Sequence, residues 1–490
     1  MIRRLLKAAA LALVALFVVA GVLYLFGLRV VLDGGGSPHL RFLESADELA
    51  ERIAHHREAQ RAQAAPPVPA AAVPSALGGA PGAVPPVPPA VPVTPAPPAV
   101  RAGGSAYWTD FRGPNRDGHY RERPIRTDWP AGGLKPLWKQ PVGGGYASFT
   151  VAHGQAFTIE QRGPEEVVAA YDVASGRELW TARLRAKFEE YMGGDGPRAT
   201  PTWSDGRVYA LGALGELRAL DAATGRTLWR TNILEDHGAS NLQWGMASSP
   251  LVVGDALIVL PGARNGASVA AYDKNTGARV WAAHSDQQAY SSPMLVTLAG
   301  VPQLVVFSAS RLVGLTPDRG ELLWEFPWKT QFDVHASQPL AIGDNRLFLS
   351  SGYGTGAAVV ELSQSGGRFA VREVWRNIRM KNQFSSSVLH DGFIYGLDES
   401  ILACLDAATG DLKWKGGRYG YGQTLLASGH LIVLTEDGDL ALVRATPAKH
   451  EEVVRFPVLE GKTWNHPAIS DGILLVRNLA EMAAFDLRVP

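Results

Sequence analysis

The chain has 490 residues, and its 47 Lys and Arg offset its 47 Asp and Glu, so the formal net charge is zero. That balance offers no basic face of the kind nucleic acid requires. The single cysteine, Cys404, rules out an intrachain disulfide, and its place in the run Leu402-Ala403-Cys404-Leu405 reads as a buried core thiol rather than a nucleophile. Thirteen Trp and 53 Gly imply many tight turns around large anchors, as in an all-β repeat protein.

At the N-terminus Arg3, Arg4 and Lys7 precede an apolar run from Ala8 to Leu28. At about 1.5 Å per residue this run reaches roughly 31 Å, the thickness of a bilayer core. The positive flank predicts a single membrane span over residues 1–30, with the remainder translocated to the extracytoplasmic (periplasmic) side. A signal peptide cut near Ala20-Gly21 is the alternative. No cysteine follows the run closely, which excludes a lipoprotein anchor. Residues 31–65 form a juxtamembrane segment, helical from about Glu44, where Leu49 and Ile53 stand among Glu, Arg and Gln. Residues 66–105 are nearly all Pro, Ala, Val and Gly, a composition that forms no packed core and reads as an extended stalk.

From Gly144 onward the sequence recurs at about 45 residues. One half of each unit is an apolar run, a two-residue turn and a second β-rich run. The turns are His153-Gly154, Asp205-Gly206, Gly254-Asp255, Ala299-Gly300, Gly343-Asp344, Asp391-Gly392, Ser428-Gly429 and Asp471-Gly472, most of which suit a hairpin. The other half places Gly four and Trp eight residues after an Asp: Asp172/Gly176/Trp180, Asp221/Gly225/Trp229, Asp273/Gly277/Trp281 and Asp406/Gly410/Trp414. Thr316/Gly320/Trp324 keeps the spacing with Thr for Asp, and an insertion around Gln364-Ser365-Gly366-Gly367 stretches the unit before Trp375. Asp caps the turn, Gly takes a conformation other residues resist, and Trp anchors the outer strand between sheets. Two hairpins per unit make a four-stranded blade, and eight units over residues 106–490 make an eight-bladed β-propeller. The last unit lacks an outer strand, which Leu137-Trp138-Lys139 is placed to supply.

These Asp-x-x-x-Gly-x-x-x-Trp units resemble the repeats of pyrroloquinoline quinone (PQQ)-type propellers. The segment from Tyr107 to Gly118, which holds Phe111-Arg112-Gly113-Pro114-Asn115, is similar to the opening of a bacterial subfamily of PQQ-binding-like propeller proteins. The resemblance implies the fold and leaves the chemistry open, because the family includes quinone-dependent dehydrogenases and a cofactor-free scaffold lipoprotein of outer-membrane barrel assembly.

Function is expected on the face carrying the longer, irregular loops between blades. Trp244, Tyr290, His335, Phe384, Tyr421 and His466 each stand just before an innermost strand and would ring the channel mouth, as binding residues or as a plug. For a quinone, family dehydrogenases hold calcium with carboxylate and amide groups and stack the ring between a Trp and a disulfide of adjacent cysteines. Here Trp244 and Arg198 are the weak cofactor-binding candidates, with no paired cysteines, no Cys-x-x-Cys-His haem motif and no assignable calcium cage. Glu436-Asp437-Gly438-Asp439 reads as a hairpin turn rather than a calcium loop. No catalytic residue and no metal site are assigned. The expected role is a non-catalytic, membrane-anchored scaffold in the cell envelope with a protein partner of unstated identity. The alternative is a PQQ- and calcium-dependent dehydrogenase acting on an alcohol or sugar.

Overall fold

The computed structural model describes residues 13, 17–64 and 105–489. Eight four-stranded antiparallel sheets surround an axis, and each begins with its innermost strand. Blades 1 to 7 span residues 150–185, 202–232, 251–283, 294–327, 340–377, 388–418 and 423–457. Blade 8 takes three strands from residues 468–486 and its fourth, β4 (Trp138–Pro141; numbering of strands in chain order), from the start of the propeller. Ala484 pairs with Trp138 and Glu481 with Pro141. The ring is therefore closed by strand pairing between its two ends.

Six of the eight inner turns hold both residues at positive φ, for example His153 (52°) with Gly154 (75°) and Asp391 (48°) with Gly392 (82°). That is the backbone twist a two-residue hairpin needs. In the other turn the carboxylate caps. Asp172 Oδ1 accepts from the Ser175 N–H at 2.8 Å, and Asp221, Asp273 and Asp406 do the same for Thr224, Thr276 and Thr409.

The glycine that follows has a second use. Trp138, Trp180, Trp229, Trp375 and Trp414 each donate the indole Nε1–H to a carbonyl of the next blade (Val173, Ala222, Lys274, Ala407 and Thr446), at 2.8–3.0 Å. The rings of Trp138, Trp180, Trp229 and Trp375 lie on that next blade's turn glycine: Gly176, Gly225, Gly277 and Gly410. A Cβ at Gly277 would stand 2.7 Å from the Trp229 ring and one at Gly410 2.7 Å from Trp375, while one at Gly225 would run into the Trp180 ring. The glycine of each unit thus serves the tryptophan of the blade before it, not the tryptophan four residues on.

Three of the repeat tryptophans depart from this pattern: Trp414 keeps its hydrogen bond, but the blade 7 turn around Thr446-Pro447 offers it no glycine, and Trp281 and Trp324 depart as follows. Trp281 keeps its seat, since a Cβ at Gly320 would stand 2.5 Å from the ring. However, Gly320 meets the outer edge of the six-membered ring, Cζ3 first, whereas Gly225 and Gly277 meet the ring fusion of Trp180 and Trp229. The displaced indole leaves its Nε1–H buried with no acceptor, and His284 Nε2 meets the Gly320 carbonyl instead, at 2.7 Å. Trp281 therefore anchors by packing alone, in the one unit whose partner turn opens on Thr316-Pro317 rather than Asp. Trp324 departs further. Blade 5 has no such glycine, because its outer strands Gly356–Ser365 and Arg368–Asn377 are lengthened into a long hairpin. Trp324 turns into its own blade and donates to Gln303 Oε1.

Two segments outside the blades complete the molecule. Residues 105–118 enter the channel beside the innermost strand of blade 1, where Val151 N–H donates to the Trp108 carbonyl at 2.8 Å. They leave through β3 (His119–Tyr120), a fifth strand parallel to Gln423–Ala427 of blade 7. Upstream, residues 17–25 are helical, and β1 (Leu28–Leu32) and β2 (Pro38–Phe42) form a hairpin. Helix α1 (Ala46–Ala64) docks on blades 8 and 1 through Ile53 and Arg57, 1% and 2% exposed. Arg57 donates to Gln140 Oε1 and the Pro141 carbonyl at 2.9 Å, pairs with Glu178 at 3.4 Å and lies over the Tyr171 ring. The helix of the segment expected at residues 31–65 thus packs on the propeller. The expected Pro-rich stalk lies outside the described residues. Residues 1–12 and 14–16 of the expected span also lie outside the described residues. Among the described residues no helix is long and apolar enough to cross a membrane.

Trp138→Ala removes both the indole hydrogen bond to blade 1 and the packing on Gly176. A loss of roughly 2–4 kcal/mol is expected in urea unfolding. Leu137→Ala, at a side chain 45% exposed, should fall within about 0.5 kcal/mol of wild type.

Candidate functional site: the channel mouth

Seen from the face of the blade-joining loops, the axis is walled by short polar segments that precede each innermost strand. These are tied to one another around the ring. Ser148 N–H donates to Thr200 Oγ1, Thr200 N–H to Ser249 Oγ, Ser249 N–H to Ser292 Oγ, Ser292 N–H to Gln338 Oε1 and Gln338 N–H to Ser386 Oγ, at 2.9–3.2 Å. Thr424 Oγ1 donates to the Ser386 carbonyl, Gln423 Nε2 to the Trp464 carbonyl and Ser148 Oγ to the His466 carbonyl. Every neighbouring pair of blades is joined.

The 110–118 loop fills the axis below this belt. Arg116, 2% exposed, donates to the carbonyls of Ser249 (3.1 Å), Pro250 and Pro293 (2.9 Å) and pairs with Asp110 at 3.0 Å. Arg112, 3% exposed, donates to the Ser387 carbonyl across the channel at 2.9 Å. Burial draws its guanidinium down to about 10. Phe111 meets the His466 ring edge-on at 4.9 Å. A single loop therefore contacts carbonyls of blades 3, 4 and 6.

Above the belt, aromatic rings form an arc. Tyr146 stacks on Trp464 (5.3 Å between centroids), Trp464 meets Phe384 (4.4 Å), and Phe384 meets Tyr421 (5.7 Å). Across the opening Trp244 lies 5.6 Å from Tyr290. All six rings are half-buried. The expected mouth residues thus fall into three groups. Phe384 and Tyr421 share one arc, and Trp244 and Tyr290 form a separate pair. His335 and His466 lie beneath the surface. His335 is wholly buried, stacked on Phe307 at 4.5 Å, with Nε2 against the Ala309 carbonyl and Nδ1 against Ser351 Oγ. Arg198 is spent locally: it donates to the Gly194 and Gly196 carbonyls and covers the Phe188 ring at 4.6 Å.

The charged heart of the mouth was hidden in the turn Glu436-Asp437-Gly438-Asp439. Glu436, 9% exposed, accepts from Trp464 Nε1 (2.9 Å) and the Tyr421 N–H (3.1 Å). Its remaining donor comes from far upstream: Gly34, at the tip of the β1–β2 hairpin, gives its N–H to Glu436 Oε1 at 2.6 Å. Gln383 Nε2 in turn donates to the Gly34 carbonyl at 2.8 Å, and Arg41 pairs with Asp437 at 2.8 Å. Lys462 lies over Trp464 at 4.2 Å and donates to the Met192 carbonyl. Burial lowers its amine to about 8, against the opposing pull of Glu436 and Glu190.

An eight-bladed ring with indole-on-glycine interfaces and a polar axial belt defines a propeller of the PQQ-like repeat class. The chain belongs to the family described as outer membrane protein assembly factor BamB, whose model matches residues 164–416. It is 22% identical to outer membrane protein assembly factor BamB of Bordetella pertussis over 315 residues, 61% of this chain and 72% of that one. It is 30% identical to quinohemoprotein alcohol dehydrogenase ADH-IIG of Pseudomonas putida over 174 residues, 33% of this chain and 23% of that enzyme. Among solved structures it superposes on BamB from Moraxella catarrhalis (TM-score 0.53, 14% identity, 72% of this chain and 99% of that one). It also superposes on quinohemoprotein alcohol dehydrogenase from Comamonas testosteroni (TM-score 0.57, 15% identity, 79% and 82%). At such identities the superpositions speak to the fold alone.

Burial holds the His335 imidazole at about 4, whereas the unfolded chain takes up that proton near pH 6.5. Falling pH therefore favours unfolding between about 6.5 and 4, and the stabilisation is intact only above that window. At pH 4.5 the cost is about 2–3 kcal/mol. Urea titrations at pH 7 and 4.5 should show His335→Gln losing less stability on acidification than wild type by about that amount.

Proposed function

We propose that the chain is a non-catalytic binding propeller of the cell envelope that docks a protein partner on its mouth face. The observation that carries this reading is the loop on the axis. A flat quinone needs an open, stackable volume with a cation beside it. Here Phe111, Arg112 and Arg116 fill the axis from within, and the two guanidiniums already donate to carbonyls of blades 3, 4 and 6. Among the described residues no three His, Cys, Asp or Glu side chains stand in metal-binding geometry, and the one cysteine is buried in blade 6. These residues do not fit PQQ and calcium. The likeness to the Pseudomonas putida dehydrogenase spans under a quarter of that enzyme, which supports common repeats and no more.

Partner docking is favoured by what the mouth loops expose. Tyr191, Phe332 and Ile378, in loops between blades, are 86%, 57% and 70% exposed. BamB relatives carry an assembly-factor name, which agrees with an envelope partner. Membrane attachment belongs to the same reading. It rests on the charge-flanked apolar run and on the β1–β2 hairpin, whose face of Val30, Leu40 and Phe42 points away from the propeller and is 63%, 69% and 64% exposed. With the hairpin seated on the mouth, that attachment would hold the mouth close to the lipid surface.

Equilibrium dialysis of PQQ with calcium against the purified chain should show no retention. Submicromolar binding accompanied by dye reduction with an alcohol or sugar would overturn the non-catalytic reading. Photoreactive residues at Tyr191 and Phe332 should capture one discrete envelope protein that the same residue at Asp318, in an opposite-face turn, does not. N-terminal sequencing of membrane-extracted protein is expected to begin at the first residues of the chain, and a start near residue 21 in a soluble fraction would contradict attachment by this run.

A further inference from the structure

The mouth is not open. The tip of the β1–β2 hairpin sits in it, and the contacts there read backbone rather than side chain. Gly34 is buried at the tip, with its N–H on Glu436 and its carbonyl on Gln383. A Cβ on Gly34 would fall inside the Tyr421 ring, so only glycine fits. The turn is built before it docks: Asp33 Oδ1 accepts from the Gly35 and Ser37 N–H groups at 2.9 and 2.7 Å, and Gly36 N–H donates to the Asp33 carbonyl. Arg41 on Asp437 supplies one ion pair beside the tip.

The seat is firm and the occupant is loosely held. Glu436 keeps the Trp464 and Tyr421 donors whether or not Gly34 is present. The hairpin has few polar contacts to the propeller, Arg41 and Asp437 are 35% and 77% exposed, and Val30, Leu40 and Phe42 on its apolar face are largely exposed among the described residues. A rim ion pair contributes at most about 1 kcal/mol, and an isolated two-stranded hairpin is marginal by itself. We infer that the mouth is a recognition site for a tight, glycine-bearing β-turn, and that the chain's own residues 28–42 occupy it in cis until a protein partner presenting such a turn displaces them. The inference rests on the partner-docking reading above and supplies the chemistry the partner must carry: an unbranched turn residue with a free N–H and carbonyl, followed by a cation. The ring arc gives such a turn a flat floor, and Glu436 fixes its register.

A labelled synthetic hairpin of residues 27–43 serves as the probe, with fluorescence anisotropy against the full-length chain. Tethered in cis, the native hairpin holds an effective concentration in the millimolar range for a short connection. Wild type should therefore bind the peptide weakly. Gly34→Leu in the chain evicts the native tip, and binding should tighten at least tenfold. Arg41→Glu, at an exposed position facing Asp437, should do the same to a smaller degree and guards against misfolding of the first variant. The peptide carrying Gly34→Leu should not bind, and adding Glu436→Gln to the Gly34→Leu chain should lose the tightened binding. Equal peptide affinity for wild type and both released chains, or no binding to any, would overturn the inference. If peptide binding behaves as expected but the released chain crosslinks no envelope protein, the cis contact stands and the partner reading falls. If wild type crosslinks its partner through the mouth without the hairpin moving in hydrogen exchange, the partner reading stands and the cis contact falls.

Discussion

Everything in this molecule depends on closing a ring. Each blade buries one face against its neighbour, so an open array would leave two sheets exposed, and those exposed faces invite association. Closure is enforced at two radii. At the outside, an indole lies on the next blade's turn glycine and in most copies donates to a carbonyl beside it, and β4 carries the Trp138 copy of that contact from the start of the propeller to its end. At the axis, hydroxyls and amides of one blade take hydrogen bonds from backbone N–H groups of the blade before it. Each bond is worth only about 1 kcal/mol net. The geometry they share is not divisible, however, because a blade that tilts must break an axial hydrogen bond on both sides and, at most interfaces, an indole contact as well.

A closed ring leaves a hole, and the hole decides what the protein can be. In this chain the residues just upstream of the first blade return through it. Arg112 and Arg116 are buried charges, which would be very costly unless fully hydrogen-bonded. They donate to carbonyls just ahead of the innermost strands of blades 3, 4 and 6, and Arg116 pairs with Asp110, which lets a loop with two arginines sit where apolar packing would be expected even though Arg112 Nε finds no acceptor. The same contacts fill the axis from within. Family membership and the proposed non-catalytic role are thus compatible, because the repeat specifies the ring and the loop inside it specifies the contents.

The blades were legible because one steric demand recurs. The four-and-eight spacing reflects a glycine under an indole, although the two belong to successive units: Gly225 lies under Trp180 and Gly320 under Trp281. The spacing misleads fully at Trp324, where the long hairpin of blade 5 withdraws the glycine and the side chain turns to Gln303. It misleads in part at Trp281, where the ring is seated but its N–H is not. The mouth was half legible. Phe384 and Tyr421 stand where an aromatic before each inner strand should stand, but Trp464, two residues before His466, supplies the ring while His466 drops below to meet Phe111. Glu436 looked like a turn residue because its three donors come from residues 34, 421 and 464, and no local pattern encodes such a meeting. The hairpin was hidden for a different reason. Leu28-Arg29-Val30 and Leu40-Arg41-Phe42 alternate as strands do, but the apolar stretch before them reads as a span and takes their first residues with it.

The two intruders into the ring differ in kind, and the difference follows from burial. The axial loop is enclosed, its charges are desolvated, and removing it would strand the carbonyls of Ser249, Pro293 and Ser387, so it behaves as core. The hairpin tip touches only the rim. Its polar face looks inward and its apolar face looks out, the reverse of a segment that belongs to a globular core. What it leaves behind on departure, a carboxylate with two remaining donors and an arc of half-exposed rings, is already a stable surface. A seat that is complete without its occupant is suited to exchange, whereas a seat that collapses without it is not. The mouth of this propeller is of the first sort, and its axis is of the second.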